Sequence, residues 1–179
     1  SVTGVQTCAL PIYTRTQPSS LLPRSNLGNY SSVVAQVANL PPPKTHDLVV
    51  LTMGMGDIFD LADQLGETST NSENSDAKNL GLKYMRLADG IYQSGYKYVL
   101  VTTSVDYSSS QYVATKSQTY KNNIAALTAA LNKGANIDCN GGCNPGDIKP
   151  YPPGEGVRKY DLSALLLNVV LRTQTSLQA

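Results

Sequence analysis

The apolar and polar positions along this chain alternate in a way that predicts strands followed by helices. Two short runs, residues 48–51 and 98–102, have the length and the Val and Leu content of strands, and a third short strand is predicted at roughly residues 157–160. Between them lie segments whose apolar residues recur at helical spacing. Because strands that alternate with helices are joined by right-handed crossovers, we expect the three strands to be parallel neighbours in one sheet.

Five segments have the apolar spacing of helices. The first follows a serine cap and ends before residues 41–43, which are all proline. The second covers residues 57–65, and the third ends at Gly95. The positions predicted to face inward are Val33, Val34, Val37 and Leu40 in the first helix, Ala77, Leu80, Tyr84, Leu87, Ala88, Ile91 and Tyr92 in the third, Tyr120, Ile124, Leu127 and Leu131 in the fourth, and Leu162, Leu165, Leu166 and Val169 in the fifth.

The first strand indicates the fold class, because residues 48–51 are all Leu or Val. Such a strand is expected to be buried on both faces, as in a parallel sheet covered by helices. We therefore predict an α/β fold, a doubly wound sandwich. Two segments interrupt the pattern. Residues 66–76 form a polar stretch that predicts a surface loop without an apolar anchor, and residues 136–156 are rich in Gly and Pro and predict an inserted surface loop.

The N-terminal part of the chain is interpreted separately from the domain. Residues 1–12 resemble the conceptual translation of a sequencing adapter, and we interpret them as a non-native segment that makes few core contacts. Residues 13–29 are rich in Ser, Pro and Asn and predict an irregular lead-in. Residues 30–179 are then expected to form a single, partial α/β domain.

Composition and charge limit the classes of partner. The chain has 179 residues, of which 14 are Lys or Arg and 13 are Asp or Glu, so the formal net charge is +1. A balanced charge offers no broad basic face for a phosphate backbone, and nucleic acid is not expected as a partner. The apolar run at residues 164–171 is much shorter than the ~20 residues that a membrane-spanning helix needs, and no such segment is predicted.

The cysteines suggest a disulfide rather than a metal site. Cys139 and Cys143 enclose a short Gly-containing segment, and a bond between them would favour an oxidising compartment. Two free thiols are the alternative. Two thiolates provide only half of a tetrahedral zinc site, and the single histidine, His46, is far away in sequence, so no metal is predicted.

The turn after the first strand contains the candidate site residues Gly54, Gly56 and Asp57. In an open parallel sheet, ligands bind beyond the carboxyl ends of the strands, where these residues are expected. A dinucleotide-binding motif would need a third glycine where Phe59 stands, and the chain has no P-loop motif. A purely structural role, in which the glycines allow a tight turn, stays open.

Several segments together resemble the SGNH, or GDSL-type, hydrolases, most closely their secreted bacterial esterase and phospholipase-like branch. The segment "HDLVVLTMGMGDIFDLA" resembles the third sequence block of that family, which reads as a strand, then G-x-N-D, then a helix. The segments "VVAQVANL", "GYKYVLVTTSVDYS", "YKNNIAALTAALNK" and "RKYDLSALLLNVV" resemble the neighbouring helices and strands in the expected order. The resemblance covers roughly residues 32–170.

This resemblance implies a flavodoxin-like sandwich and hydrolysis of carboxylic esters by a serine nucleophile, with no cofactor. Gly54 and Asp57 match the third block, whereas Gly56 stands in place of the Asn that binds the oxyanion. The G-D-S-L block with the nucleophile and the D-x-x-H block with the histidine are not present in the chain. No catalytic residue is therefore identified, since Ser104 lacks a G-x-S-x-G motif and His46 precedes the strand.

The leading hypothesis is thus a fragment of a secreted or periplasmic serine esterase or lipase, inactive as given. The parent protein would act on small-molecule or lipid esters. The alternative is a non-catalytic α/β domain that uses the turn from Gly54 to Asp57 for a small anionic ligand or as a purely structural element. The sequence does not indicate an oligomeric state.

Overall fold

The computed structural model describes residues 32–135 and 151–162. The predictions for residues 1–12 and 13–29, for the pair Cys139 and Cys143, and for a fifth helix after residue 162 lie outside the described residues. The described helices and strands are, in chain order, α1 (Val33–Ala38), β1 (Leu48–Thr52), α2 (Met55–Leu65), α3 (Ser75–Gln93), β2 (Tyr98–Thr102), a short 3-10 helix (Gln111–Val113), α4 (Gln118–Ala135) and β3 (Gly156–Tyr160).

The three strands form one parallel sheet in the order β1-β2-β3, as the sequence predicts. Val49 is in register with Val99, and Val99 with Val157. The strand bounds differ from the prediction by one residue at the end of β1 and at the start of β3. Since Gly156 is the first residue of β3, the predicted loop at residues 136–156 ends earlier than expected. The α/β class is confirmed.

A layer of helices covers one face of this sheet. Helix α3 contacts β2 and β3, and it packs closely along α4, which also contacts α2. The helices and the sheet meet in one core of buried side chains. Its main members are Val49, Leu51, Val99, Val101, Ile58, Ala62, Tyr84, Ala88, Ile91, Ile124, Leu127, Leu131 and Val157.

The close approach of α3 and α4 depends on two glycines. A Cβ on Gly134 would lie 2.0 Å from the carbonyl oxygen of Lys78, and a Cβ on Gly81 would lie 2.1 Å from that of Leu131. Both contacts are with backbone atoms, which cannot rotate away as a side chain can. The two helices are therefore packed almost backbone against backbone at this crossing.

The prediction that the first strand is buried on both faces is wrong. Val49 and Leu51 are buried under the helices, but Leu48 and Val50 are 48% and 40% exposed. A strand sequence specifies only that its side chains are apolar. Whether each face is buried depends on the segments that pack against it, and those described here pack on the Val49 side.

The predicted cap of α1 and the predicted glycine after α3 are confirmed, whereas the predicted burial of α1 is confirmed only in part. The side chain of Ser32 accepts a hydrogen bond from the amide of Ala35 at 3.1 Å and caps α1, as predicted. Within α1, Val33 is buried, but Val34 is 41% exposed and not part of the core. After α3, Gly95 adopts a φ of 109°, a backbone conformation that favours glycine.

The polar loop between α2 and α3 has an anchor that its sequence did not indicate. The side-chain amide of Asn123, on α4, accepts a hydrogen bond from the amide of Thr70 at 3.0 Å and donates one to the carbonyl of Thr68 at 2.9 Å. Asn123 is itself buried. The loop therefore lacks an apolar anchor, as expected, but is attached to α4 by hydrogen bonds.

Candidate functional site

The candidate site lies at the carboxyl edge of the sheet, where β1 leads into α2. Gly54 is the residue before the first turn of α2, and the helix begins at Met55. The predicted turn is therefore shorter than the sequence suggested, because Gly56 and Asp57 both lie inside the first helical turn and are buried. Of the three candidate residues, only Gly54 belongs to the strand-to-helix connection.

Gly54 has a steric role at this connection. A Cβ at this position would lie 2.3 Å from Oδ2 of Asp57 and 3.0 Å from the hydroxyl of Tyr84. Any larger residue would have to displace a buried carboxylate. The absence of a side chain at Gly54 is thus what allows Asp57 and Tyr84 to meet beside the turn.

Asp57 forms a buried pair with a tyrosine from the middle of α3. The hydroxyl of Tyr84 donates a hydrogen bond to Oδ2 of Asp57 at 2.7 Å, and both residues are buried. Burial raises the pKa of the Tyr84 phenol, and the neighbouring Asp57 carboxylate raises this pKa further. The phenol therefore stays protonated over the whole physiological range and acts as a donor to Asp57.

The sequence interpretation missed Tyr84 as a site residue. The apolar stripe of α3 predicts Tyr84 as a core residue, and the structure confirms that its side chain is fully buried. The hydroxyl that contacts Asp57 lies 27 residues away in sequence. No local pattern links two positions so far apart, although a tyrosine in a core stripe is a general signal that its hydroxyl needs a partner.

The loop after β2 reaches the same edge of the sheet and contains Ser104. Its side chain is 3% exposed, and Oγ has no hydrogen-bond partner within the described part of the chain. Its backbone is held by Asn132 on α4, whose amide accepts from the Ser104 N–H at 2.8 Å and donates to the Ser104 carbonyl at 2.9 Å. Asn132 is a second polar residue whose role the sequence did not indicate.

Within residues 32–135 and 151–162, the histidine lies on the opposite edge of the sheet from Ser104. The only histidine of the chain, His46, is exposed and precedes β1, at the amino edge of the sheet, which is the opposite edge from Ser104. A serine needs a base within hydrogen-bond reach to act as a nucleophile. That neither Ser104 nor His46 is catalytic stays a prediction.

Two tyrosines from the segment after β2 pack against Phe59 of α2. Phe59 packs edge-on against Tyr112 with ring centroids 5.1 Å apart, and against Tyr107 at 6.5 Å. Tyr112 itself is 71% exposed. The same loop borders an open cleft of about 500 Å³, lined by Ser108, Ser109, Ser110, Gln111, Ala114, Gln118, Lys121 and Asn122.

Two classes of site find no support in the described residues. Within residues 32–135 and 151–162, no group of three or more His, Cys, Asp or Glu side chains is placed to hold a metal ion. In the same part of the chain, no helix has the length and apolar character needed to cross a membrane.

Comparison with known proteins finds no family model, no curated protein and no solved structure that matches this chain.

Proposed function

We propose that this chain is part of a serine ester hydrolase of the SGNH class, with a flavodoxin-like sandwich as its complete fold. The observation that carries this proposal is the unit of β1, Gly54 and α2, which brings Gly54 and Asp57 to the carboxyl edge of a parallel sheet. This edge is where open α/β sheets bind their ligands. The third block of the SGNH family has the same order of strand, glycine, aspartate and helix.

The residues at this edge have different roles in the proposal. The first-turn amides of α2 are the candidate donors to the oxyanion that forms during ester cleavage, because a helix N-terminus stabilises negative charge. Asp57 positions the turn through its hydrogen bond with Tyr84. Gly56 replaces the Asn of the family and supplies no side-chain donor. The nucleophile and its base belong to the two blocks that this chain does not contain.

The substrate class and the location follow from the family resemblance. The parent protein would cleave small-molecule or lipid esters and would be secreted or periplasmic. A disulfide between Cys139 and Cys143 would fit that location, because such bonds persist in oxidising compartments.

The alternative function, binding of a small anionic ligand at the turn, has less support. The carboxylate of Asp57 lies within the first turn of α2, next to Gly54. A second anion bound to the same helix end would be repelled by this carboxylate. The carboxylate would act in the same way on an ester oxyanion, so the resemblance of the third sequence block, and not this repulsion, places the esterase ahead of the anion-binding domain.

Esterase assays on two forms of the protein test the proposal. The purified 179-residue chain should show no hydrolysis of short-chain aryl esters above background, since it contains neither the nucleophile block nor the histidine block. A gene extended at both ends, with a G-D-S-L serine upstream and a D-x-x-H histidine downstream, should be active. In that extended protein, Gly56→Asn should raise turnover if a side-chain oxyanion donor is what the site lacks, since one such donor is typically worth ~100- to 1,000-fold.

Two results would contradict the proposal. One is an extended gene that contains neither block, which would favour the binding domain. The other is robust turnover by the 179-residue chain that Ser104→Ala abolishes, because this would identify a different nucleophile.

A further inference from the structure

The cleft beside the segment after β2 has walls that are almost entirely polar. Its volume of about 500 Å³ lies within the ~300–1,000 Å³ that is typical of small-molecule sites. Within the described part of the chain, its lining consists of three serines, two glutamines, one asparagine, one lysine and one alanine, with no acidic residue. Small-molecule sites usually have mainly hydrophobic walls and few polar groups. The reversed balance suits a ligand that itself carries many hydroxyl groups, rather than an acyl chain.

Two amide side chains on α4 offer an acceptor and a donor at the cleft. Gln118 and Asn122 are four residues apart on one side of the helix, and Nε2 of Gln118 donates a hydrogen bond to Oδ1 of Asn122 at 2.8 Å. Among the described residues, Oε1 of Gln118 and Nδ2 of Asn122 have no partner. A sugar hydroxyl both donates and accepts, so this neighbouring acceptor and donor match adjacent hydroxyls of one sugar ring.

Ser110, in the wall of the cleft, has a hydroxyl without a partner. Its backbone is held on both sides, because its N–H donates to the carbonyl of Tyr107 at 3.0 Å and its carbonyl accepts from the amide of Val113 at 3.2 Å. Its Oγ is buried and makes no hydrogen bond within residues 32–135 and 151–162. Such a group lowers stability, and a ligand hydroxyl bound to it would remove that cost.

An exposed aromatic ring stands next to these polar groups. Tyr112 directly follows Gln111, which lines the cleft, and Tyr112 is 71% exposed. Its ring packs edge-on with that of Phe59 at a centroid distance of 5.1 Å, which holds it in place. The face of an aromatic ring carries partial negative charge and attracts the C–H groups of a sugar ring.

An anionic ligand fits this cleft less well, although α4 begins there. The hydroxyl of Ser117 accepts a hydrogen bond from the amide of Tyr120 at 3.1 Å and donates to the carboxylate of Glu67 at 2.8 Å. A carboxylate therefore already lies at this helix N-terminus and would repel a second anion. Nζ of Lys121, the cation of the cleft, donates to the carbonyl of Ala114 at 3.0 Å. The helix end and the lysine are thus both engaged within the protein.

We propose that this cleft binds a neutral saccharide. Gln118 and Asn122 bind its hydroxyl groups, and Tyr112 stacks on the C–H face of a sugar ring. Neither Gly54 nor Asp57 lines the cleft, so this site does not depend on the proposed function.

Titration of the isotope-labelled 179-residue chain with disaccharides, followed by two-dimensional NMR, tests the site. The probes are cellobiose, maltose and N,N′-diacetylchitobiose, and inorganic phosphate is the anionic probe. We expect at least one disaccharide at millimolar concentration to shift the amide signals of residues 108–122. Phosphate should leave these signals unchanged.

Paired variants test the residues that bind the saccharide. Asn122→Ala should weaken the binding of that disaccharide about fivefold through the loss of one hydrogen bond, whereas Asn79→Ala, the same change at an exposed position of α3, should not alter it. Tyr112→Ala should weaken binding about tenfold, and Tyr112→Phe, which keeps the ring, should bind like the parent. Far-UV circular dichroism establishes that each variant is folded, and the two asparagine variants decide alone if Tyr112→Ala does not fold.

Three results would overturn the proposal. One is that no disaccharide shifts the signals of residues 108–122. Another is that phosphate shifts them more strongly than every disaccharide, which would make the cleft an anion site. The third is disaccharide binding that neither Asn122→Ala nor Tyr112→Ala weakens, because this would place the saccharide elsewhere.

Discussion

The two faces of the sheet are built from similar residues but differ in what packs against them. Val49 and Val50 are neighbours in β1, yet Val49 is buried in the core and Val50 is 40% exposed. The helix layer on the covered face is held together by the nearly direct backbone contact of α3 with α4 and by the pair of Asp57 and Tyr84. The comparison teaches that burial in this sheet is decided by topology rather than by strand sequence.

The largest expected effect is the loss of the close contact between α3 and α4. Gly134→Ala should lower the free energy of unfolding by about 3 kcal/mol, because the new Cβ would collide with the carbonyl of Lys78. Gly90→Ala is the matched control, since a Cβ there meets nothing within 4 Å. This control should be neutral or stabilise α3 by up to about 1 kcal/mol. Urea unfolding measures both, and equal effects would show that the crossing is not tightly packed.

The two faces can be compared directly with one substitution at neighbouring positions. Val49→Ala should cost about 2.5 kcal/mol, because it leaves a cavity under the helices. Val50→Ala should cost about 0.5 kcal/mol or less, because 40% of this side chain is exposed in the folded protein. Chemical denaturation of the two variants and the parent protein gives this difference. Equal costs at both positions would contradict the difference between the faces.

Removal of one hydroxyl tests the buried pair at the candidate site. Tyr84→Phe should cost about 2 kcal/mol, since it takes a donor from the buried carboxylate of Asp57. Tyr120→Phe is the control, because the hydroxyl of Tyr120 donates to Asp63 at a partly buried position. This change should cost roughly 0.5 kcal/mol. A Tyr84→Phe protein as stable as the parent would remove the proposed role of Asp57 in positioning the turn.

The smallest effect concerns the acid limb of the stability profile. Hydrogen bonds from Lys133 and Lys78 lower the pKa of Glu73 to about 2. A carboxyl group whose pKa is lowered on folding stabilises the protein above its ordinary pKa of 4.5, and this contribution is lost as the pH falls from 4.5 through 2. Glu73→Gln should therefore make the unfolding free energy less dependent on pH in this window.

Glu73 is exposed, so the effect should be small and should shrink further in high salt. Thermal unfolding between pH 2 and pH 5, at low and high ionic strength, measures it. An unchanged pH dependence in Glu73→Gln at low salt would show that the two ion pairs do not form in solution.

The elements of the fold were predictable because their signals are local. Apolar runs, a serine before Val33 and a glycine at position 95 act within a few residues, and the strands, the capped helix and the helix end were found where expected. The exposure of Val50 was not predictable, because it depends on where distant helices pack. A local pattern cannot specify which face of a strand they cover.

The candidate site was predictable in position but not in detail. Gly54 and Asp57 lie at the expected edge of the sheet, since a strand followed by a glycine and a helix defines that edge. The partner of Asp57 could not be derived, because Tyr84 belongs to another helix. The same limit applies to Asn132, whose position in α4 does not reveal that it holds the backbone of Ser104.

A single nitrogen atom makes two of the contacts that attach the loop between α2 and α3 to α4. The Nδ2 group of Asn123 faces the carbonyls of Thr68 and Gly66, while Oδ1 faces the amide of Thr70. Deamidation to aspartate would keep the shape of this side chain but place a negatively charged oxygen against two carbonyl oxygens. Chemical ageing at one residue would thus weaken the attachment of the loop to α4, although no atom of the backbone had been altered.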